Sequence, residues 1–139
     1  MIVLDTHVLS EVLRPEPERR VLAWLDEQPA NSIFTTAITQ GEILYGIRLL
    51  AEGQRRRKLW DAATAIFADD FAGRVLSFDG EAAGHYAQIG ATCRSAGRPI
   101  SQFDATIAAI TRSHGASLAT RNSTDFQGCG IDVVNPWGE

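Results

Sequence analysis

Residues 1–11 read MIVLDTHVLSE, and the fold class turns on this stretch. Ile2, Val3 and Leu4 form an unbroken apolar run with two β-branched members, which suits a short strand buried on both faces of a parallel sheet. Asp5 ends the run. A carboxylate at the carboxyl end of a central parallel strand faces the crevice in which open α/β sheets hold their ligands. Thr6 is the expected cap of the helix that VLSEVLR would form, and the plainer role for Asp5 is to help with that cap.

The pattern that follows supports the parallel sheet. Pro15 and Pro17 punctuate, then Glu18 to Gln28 carries Val21, Leu22, Trp24 and Leu25 at helical spacing until Pro29 stops it. SIFTT, residues 32–36, reads as a strand from its β-branched and aromatic content. A longer amphipathic helix is expected from about Ile38 to Ala51, ended by Gly53, and a second from Gln54 to Phe71, the two forming a helical hairpin. RVLSF, residues 74–78, is the next strand, followed by a helix from Asp79 or Gly80 to about Ala96. Gly97 and Pro99 break it, Ser101 to His114 is a further helix closed by Gly115, and strands follow at Ser117 to Thr120 and Ile131 to Val134. About five short strands therefore alternate with six or seven helices, which implies an α/β fold with helices on both faces of a mainly parallel sheet. At 139 residues, without repeat, linker or low-complexity tract, a single domain over 1–139 is expected.

Composition narrows the chemistry. The two cysteines, Cys93 and Cys129, have no CxxC spacing and no nearby histidine pair, so they read as core thiols of a reducing compartment rather than zinc ligands. His7, His85 and His114 are scattered, which leaves carboxylates to carry any hard-metal chemistry. No apolar run approaches a membrane span and the N-terminus does not suit a signal peptide, so a cytoplasmic protein is expected. A net charge of -4 argues against broad affinity for nucleic acid through overall charge, though not against a local patch. Arg55, Arg56, Arg57 and Lys58 form the one basic run, with Arg94, Arg98, Arg112 and Arg121 in the second half. On a helix such a run points in several directions, and its commoner role is a solvated face.

Four acidic positions stand out: Asp5, Glu42, Asp104, and Asp125 with its neighbour Asn122. Each has a structural explanation. Thr39–Glu42 and Ser101–Asp104 both have the spacing of a capping box, and Asp125 could cap a short turn. In a doubly wound sheet, however, the loops after the first and fourth strands and the adjacent helix starts can converge on one crevice. Clustered carboxylates repel one another unless protons or cations neutralise them. Oxygen-only ligands select Mg²⁺ or Mn²⁺ over zinc, and such ions commonly serve phosphodiester hydrolysis.

At this point the sequence resembles a known family. MIVLDTHVLSE, TTAITQGEILYGI, RPISQFDATIAAITRSHG, and LATRNSTDF with VVNPW, in this order over nearly the whole chain, resemble the PIN-domain ribonucleases, and within them the VapC toxins of the FitB-like branch. The resemblance implies a three-layer α/β/α sandwich and a Mg²⁺- or Mn²⁺-dependent endoribonuclease that acts as the toxin of a type II toxin–antitoxin pair. It implies an acidic pocket at Asp5, Glu42 and Asp104, with a fourth position in the segment RNSTDF. Asp5 and Asp104 are then the main metal ligands, Glu42 is a ligand or orients the attacking water, and Asp125 completes the pocket. Thr6, Thr39, Ser101, Thr120 and Asn122 support it, while His7, Arg55, Arg56, Arg57 and Arg121 are candidate RNA contacts. The implied partners are an RNA substrate, a second copy of the chain, and a VapB-like antitoxin in a heterotetramer or larger assembly. DNA is reached only through the antitoxin.

Two positions depart from the family pattern. His7 stands where members usually carry Asn, and Asn122 stands where some carry Asp, with Asp125 as the alternative three residues on. The first departure motivates a rival reading, in which the chain is a catalytically impaired PIN-like module that mainly binds RNA or the antitoxin.

Overall fold

A computed structural model describes residues 1–138. The five strands among these residues are β1 (Ile2–Leu4), β2 (Ile33–Thr36), β3 (Val75–Leu76), β4 (Ser117–Ala119) and β5 (Val133–Val134). They form one sheet in the order β3-β2-β1-β4-β5, and every pairing is parallel. The apolar run at the start of the chain is thus the central strand, with Val3 opposite Phe34 on one side and Leu118 on the other. From β1 the chain winds outward to β2 and β3, then crosses to β4 on the far side of β1. The order therefore reverses between β1 and β4, the place where open α/β sheets leave a crevice at their carboxyl ends.

Among the described residues, six α-helices cover the sheet: α1 (Thr6–Val12), α2 (Arg19–Asp26), α3 (Ala37–Arg48), α4 (Gln54–Ala65), α5 (Gly80–Ser95) and α6 (Gln102–Ser113). Successive strand side chains point to opposite faces, and two cores result. Leu4, Ile33 and Ala119 pack with Val8, Val21, Ile43, Ile47 and Ala63 of α1 to α4. Val3 and Leu118 pack with Ile89 and Cys93 of α5 and Ile107, Ala108 and Ala109 of α6. The architecture is the expected three-layer α/β/α sandwich. Helix α6 is buried continuously from Ala105 to Thr111, and its three alanines let the backbone approach both α5 and the sheet. Among the described residues no helix is long and apolar enough to cross a membrane.

Several local expectations change in detail. Asp5, not Thr6, caps α1, and Thr6 is the first helical residue. Helix α3 follows β2 with no intervening loop and is capped by Thr36, whose hydroxyl accepts from the Thr39 N–H at 3.1 Å. Thr39–Glu42 is therefore not a capping box, and the Glu42 side chain is available for other contacts. The helix expected to reach Phe71 stops at Ala65 and continues as a π-helical turn, Ile66–Asp70, which brings Phe67 and Phe71 into the core. The strands at Val75–Leu76 and Val133–Val134 are each two residues long, shorter than the segments 74–78 and 131–134 expected to form them. Cys93 and Cys129 are buried free thiols, as their composition suggested, but they also lie side by side. Burial first and the neighbouring Cys93 second push the Cys129 thiol up to about 12, which leaves it protonated and unreactive at neutral pH.

Core burial should outweigh capping in the stability of this sandwich. Leu118 is fully buried on β4, whereas Asp79 is exposed and its carboxylate accepts from the Ala82 N–H at 3.0 Å to cap α5. Leu118→Ala is expected to cost about 2–5 kcal/mol, and Asp79→Ala about 1 kcal/mol. Urea unfolding measures both, and the order of the two midpoints is the check.

Candidate active site

The site begins where β1 ends. Asp5 continues the β1–β4 pairing through its backbone, its N–H donating to the Ala119 carbonyl at 3.1 Å. Its side chain then turns to the start of α1, where Oδ1 accepts from the Val8 N–H at 3.0 Å. Only 3% of the residue is exposed. Desolvation by this burial raises the carboxyl above its ordinary value and is the largest influence on it; the Asp104 charge raises it further. The Thr120 hydroxyl, the Val8 N–H and the His7 ring oppose the shift.

Glu42 approaches from the neighbouring strand's helix. Its Oε1 accepts a 2.6 Å hydrogen bond from the Thr6 hydroxyl. Thr6 Oγ1 also lies 3.2 Å from Thr39 Oγ1. Since Thr6 has one hydroxyl proton and Glu42 takes it, Thr39 must donate to Thr6 in that second contact. The two threonines thus hold Glu42 against the residue next to Asp5, with Oε2 left for a ligand.

Asp104 lies in the first turn of α6, whose N-cap Ser101 accepts from the Asp104 N–H at 3.2 Å. The carboxylate lines a cleft of about 470 Å³ together with Ser101, Thr124, Asp125 and Arg98. Asp125 is exposed in the short turn Ser123–Phe126 on the opposite wall. Asn122 begins that turn. Its N–H donates to Thr120 Oγ1 at 3.1 Å, and its side-chain amide lies 3.2 Å from His7 Nε2. Thr120 therefore joins the post-β4 loop to Asp5, and His7 joins it to the first turn of α1.

All the acidic positions singled out in the sequence thus lie at the carboxyl edge of β2, β1 and β4. They are not one tight cage: among the described residues, no three His, Cys, Asp or Glu side chains converge closely enough to hold a metal ion as they stand. The donor set nevertheless suits a hard cation. It is oxygen-only, and its centre is a buried carboxylate beside a second acid, whose cost of ionisation a bound cation would offset.

The basic run divides. Arg55 and Lys58 line a groove of about 720 Å³ that reaches Glu42, with an apolar floor of Leu13, Ile43, Ile47, Leu50 and Leu59. Arg56 and Arg57 face a separate hollow beside Trp60. Arg98, read only as one of four scattered cations, stands in the Asp104–Asp125 cleft, its guanidinium donating to the Gln127 carbonyl at 3.0 Å. Its position after the Gly97 break, three residues before the α6 cap, was the available signal.

A family model described as PIN domain matches residues 2–127. VapC ribonuclease Y4jK of Sinorhizobium fredii is 39% identical over 137 residues, covering 99% of this chain and 98% of that protein. Toxin FitB of Neisseria gonorrhoeae is also 39% identical, over 99% of both chains. Among solved structures, FitAB bound to the IR36 DNA fragment matches with a TM-score of 0.94 at 39% identity, over 100% of this chain and 97% of that one. FitAcB from Neisseria gonorrhoeae matches with a TM-score of 0.93 at 39% identity, over 99% of each chain.

Because burial raises the Asp5 carboxyl above its ordinary 3.8, the folded protein binds that proton more tightly than the unfolded chain does. The contribution to stability is therefore complete below about pH 3.8 and is lost as pH rises through the folded value. Asp5→Asn keeps a capping side chain and removes the ionisation. With divalent cations chelated, the variant should melt higher than the parent at pH 7, with the gap narrowing on acidification toward pH 4. Equal gaps across this range, in melts followed by circular dichroism, would separate the effect from ionisation.

Proposed function

Because the chain belongs to the PIN-domain family, with full-length relatives among the VapC and FitB toxins, we propose that it is a toxin–antitoxin ribonuclease that hydrolyses RNA phosphodiester bonds with the help of Mg²⁺ or Mn²⁺. The observation that carries this reading is the buried Asp5 carboxyl at the sheet's switch point, held beside Asp104 at a cost in ionisation. Asp5 and Asp104 would hold the cation, with Glu42 or Asp125 completing the set. When bound, the cation supplies Lewis-acid stabilisation of the scissile phosphate and lowers the pKa of water. The chain's own residues do the positioning. Thr6 fixes Glu42 so that Oε2 can orient the attacking water and accept its proton, and Thr120 ties the post-β4 loop to Asp5.

The likeness to FitAB and FitAcB supports an antitoxin partner and an oligomeric assembly. The groove beside Glu42, apolar along its floor and lined by Arg55 and Lys58, suits a chain segment that crosses toward the acids. DNA contact would belong to the antitoxin.

Asp104→Asn should abolish RNA cleavage while leaving the fold intact, because it removes one of two repelling acids and keeps its shape. Cleavage of RNA by purified, antitoxin-free protein in Mn²⁺, compared with Mn²⁺ binding in the same preparation, is the measurement. Parent-level cleavage by the variant would sink the site assignment, and Mn²⁺ binding without cleavage by the parent would favour the impaired binding module.

The division of the basic run gives a separate expectation. In the Asp104→Asn background, Arg55→Gln and Lys58→Gln should each flatten the salt dependence of RNA affinity by about 0.7 in the log–log slope. Arg56→Gln and Arg57→Gln should leave it unchanged, since they face away from the groove. Equal effects from all four would assign the run to diffuse attraction.

A further inference from the structure

On the side of the acid pocket away from Arg55 and Lys58 lies a second cleft, of about 580 Å³, between the start of α2, the loop after β4 and the C-terminal tail. Its volume falls within the roughly 300–1,000 Å³ of small-ligand sites. Two guanidiniums line it, Arg20 and Arg121, and both are oriented by Trp137. Arg121 is stacked over the indole with its carbon 5.0 Å from the ring centroid. Arg20 donates to the Trp137 carbonyl at 3.0 Å. Trp137 is itself set by Asn135, whose Oδ1 accepts from the Trp137 N–H at 2.9 Å. The Asn135 amide reaches back to the Arg121 carbonyl at 3.4 Å.

This arrangement has the parts of a nucleotide site. A guanidinium laid on an indole is held flat, so its planar face and its remaining N–H donors are presented without a large ordering cost. Each guanidinium carries five N–H donors, and the contacts above use few of them. Arginine planes stack on splayed bases and pair with phosphate oxygens in two-pronged fashion. Asn135 and Ser123 add neutral donors and acceptors suited to a base edge. Glu18 also lines the cleft, so the charge facing it is two positive against one negative, which favours a single phosphate over a long polyanion.

The location joins the cleft to the acids. Asn122 lines it, and the Asn122 side chain bonds to His7, two residues beyond Asp5. A strand lying over Asp5 need cross only this His7–Asn122 bridge to enter the cleft. We propose that the Arg20–Arg121–Trp137 cleft is a nucleotide subsite that binds one base and one phosphate of single-stranded RNA flanking the bond at the acid pocket. The proposal rests on the ribonuclease reading for the identity of its ligand.

The test is fluorescence anisotropy of labelled single-stranded RNA with the full chain in an Asp104→Asn background, at several salt concentrations, beside cleavage by the parent. Arg121→Gln should weaken binding of a 12-nucleotide RNA roughly tenfold, within what one stacked base is worth. It should also reduce the salt slope by about 0.7. Lengthening the RNA from a dinucleotide, which can fill only one of the two sites, to the 12-mer should raise the affinity of the parent by more than that of the variant. Arg121→Lys should keep the salt slope and lose most of the stacking affinity, which a purely structural clamp on the tail would not produce. If the parent cleaves RNA while Arg121→Gln binds the 12-mer with unchanged affinity and slope, the subsite is overturned and the nuclease reading stands. If the parent cleaves no RNA while the length-dependent effect of Arg121 persists, the nuclease reading fails and the subsite stands. Unchanged RNA binding with lost antitoxin binding would give the cleft to the protein partner and overturn the proposal.

Discussion

The structure depends on one costly act, the burial of the Asp5 carboxylate at the carboxyl end of the central strand. Desolvation and the Asp104 charge both disfavour its ionised form. What holds it there is close by: the Val8 N–H at the open end of α1, the Thr120 hydroxyl just past the end of β4, and the His7 ring. The positive end of a helix and two donors offset part of the cost. The remainder leaves an acid poised to be relieved by a cation, and this gives the crevice its chemistry.

Threonine does most of the work of placing side chains around that acid. Thr35, Thr36, Thr39 and Thr120 are all fully buried, and each hydroxyl spends its hydrogen bond on the edge of the sheet. Thr35 donates to the Leu4 carbonyl at 3.0 Å, Thr36 caps α3, Thr39 meets Thr6, and Thr120 holds the post-β4 loop. A short β-branched residue fits a strand and can still cap a helix. Here β2 passes into α3 without a loop, so its last residue, Thr36, does both. The Glu42 position is fixed by this chain of hydroxyls rather than by any opposite charge.

The central strand, its terminal acid and the buried helix α6 are legible in the sequence because each is a local signal: an apolar run, a break, and a run of small and branched residues at helical spacing. The edge positions of Asp5, Glu42, Asp104 and Asp125 follow from the alternation of strands and helices. Less legible are features set by choices between near-equal local options. Thr36 and Thr39 both can cap α3, and only the docking of β2 into the sheet favours the first. The strands expected over residues 74–78 and 131–134 shrink to Val75–Leu76 and Val133–Val134, because pairing at the sheet edges is limited to two residues. Long-range pairs are invisible to periodicity altogether. Cys93 meets Cys129 across the second core, and Arg20 meets Trp137 over 117 residues of chain.

Charge placement explains how an acidic chain can address a polyanion. The net charge of -4 gives no general attraction. Within a Debye length of the site, however, the distribution matters more than the sum, and screening removes the rest. Arg55 and Lys58 stand along the groove at Glu42, Arg98 stands in the cleft of Asp104 and Asp125, and Arg20 and Arg121 stand beyond the His7–Asn122 bridge. The cations therefore surround the acids without pairing with them; among the described residues, the one side-chain ion pair is that of Arg14, which also lines the groove at Glu42, with Glu11, which is not one of these acids. An acid neutralised by a nearby arginine would hold a cation weakly, and an arginine neutralised by an acid would hold a phosphate weakly. Separation of the two sets keeps both available, and it is achieved by giving the arginines neutral anchors: the Gln127 carbonyl for Arg98, the Trp137 carbonyl for Arg20 and the indole face for Arg121.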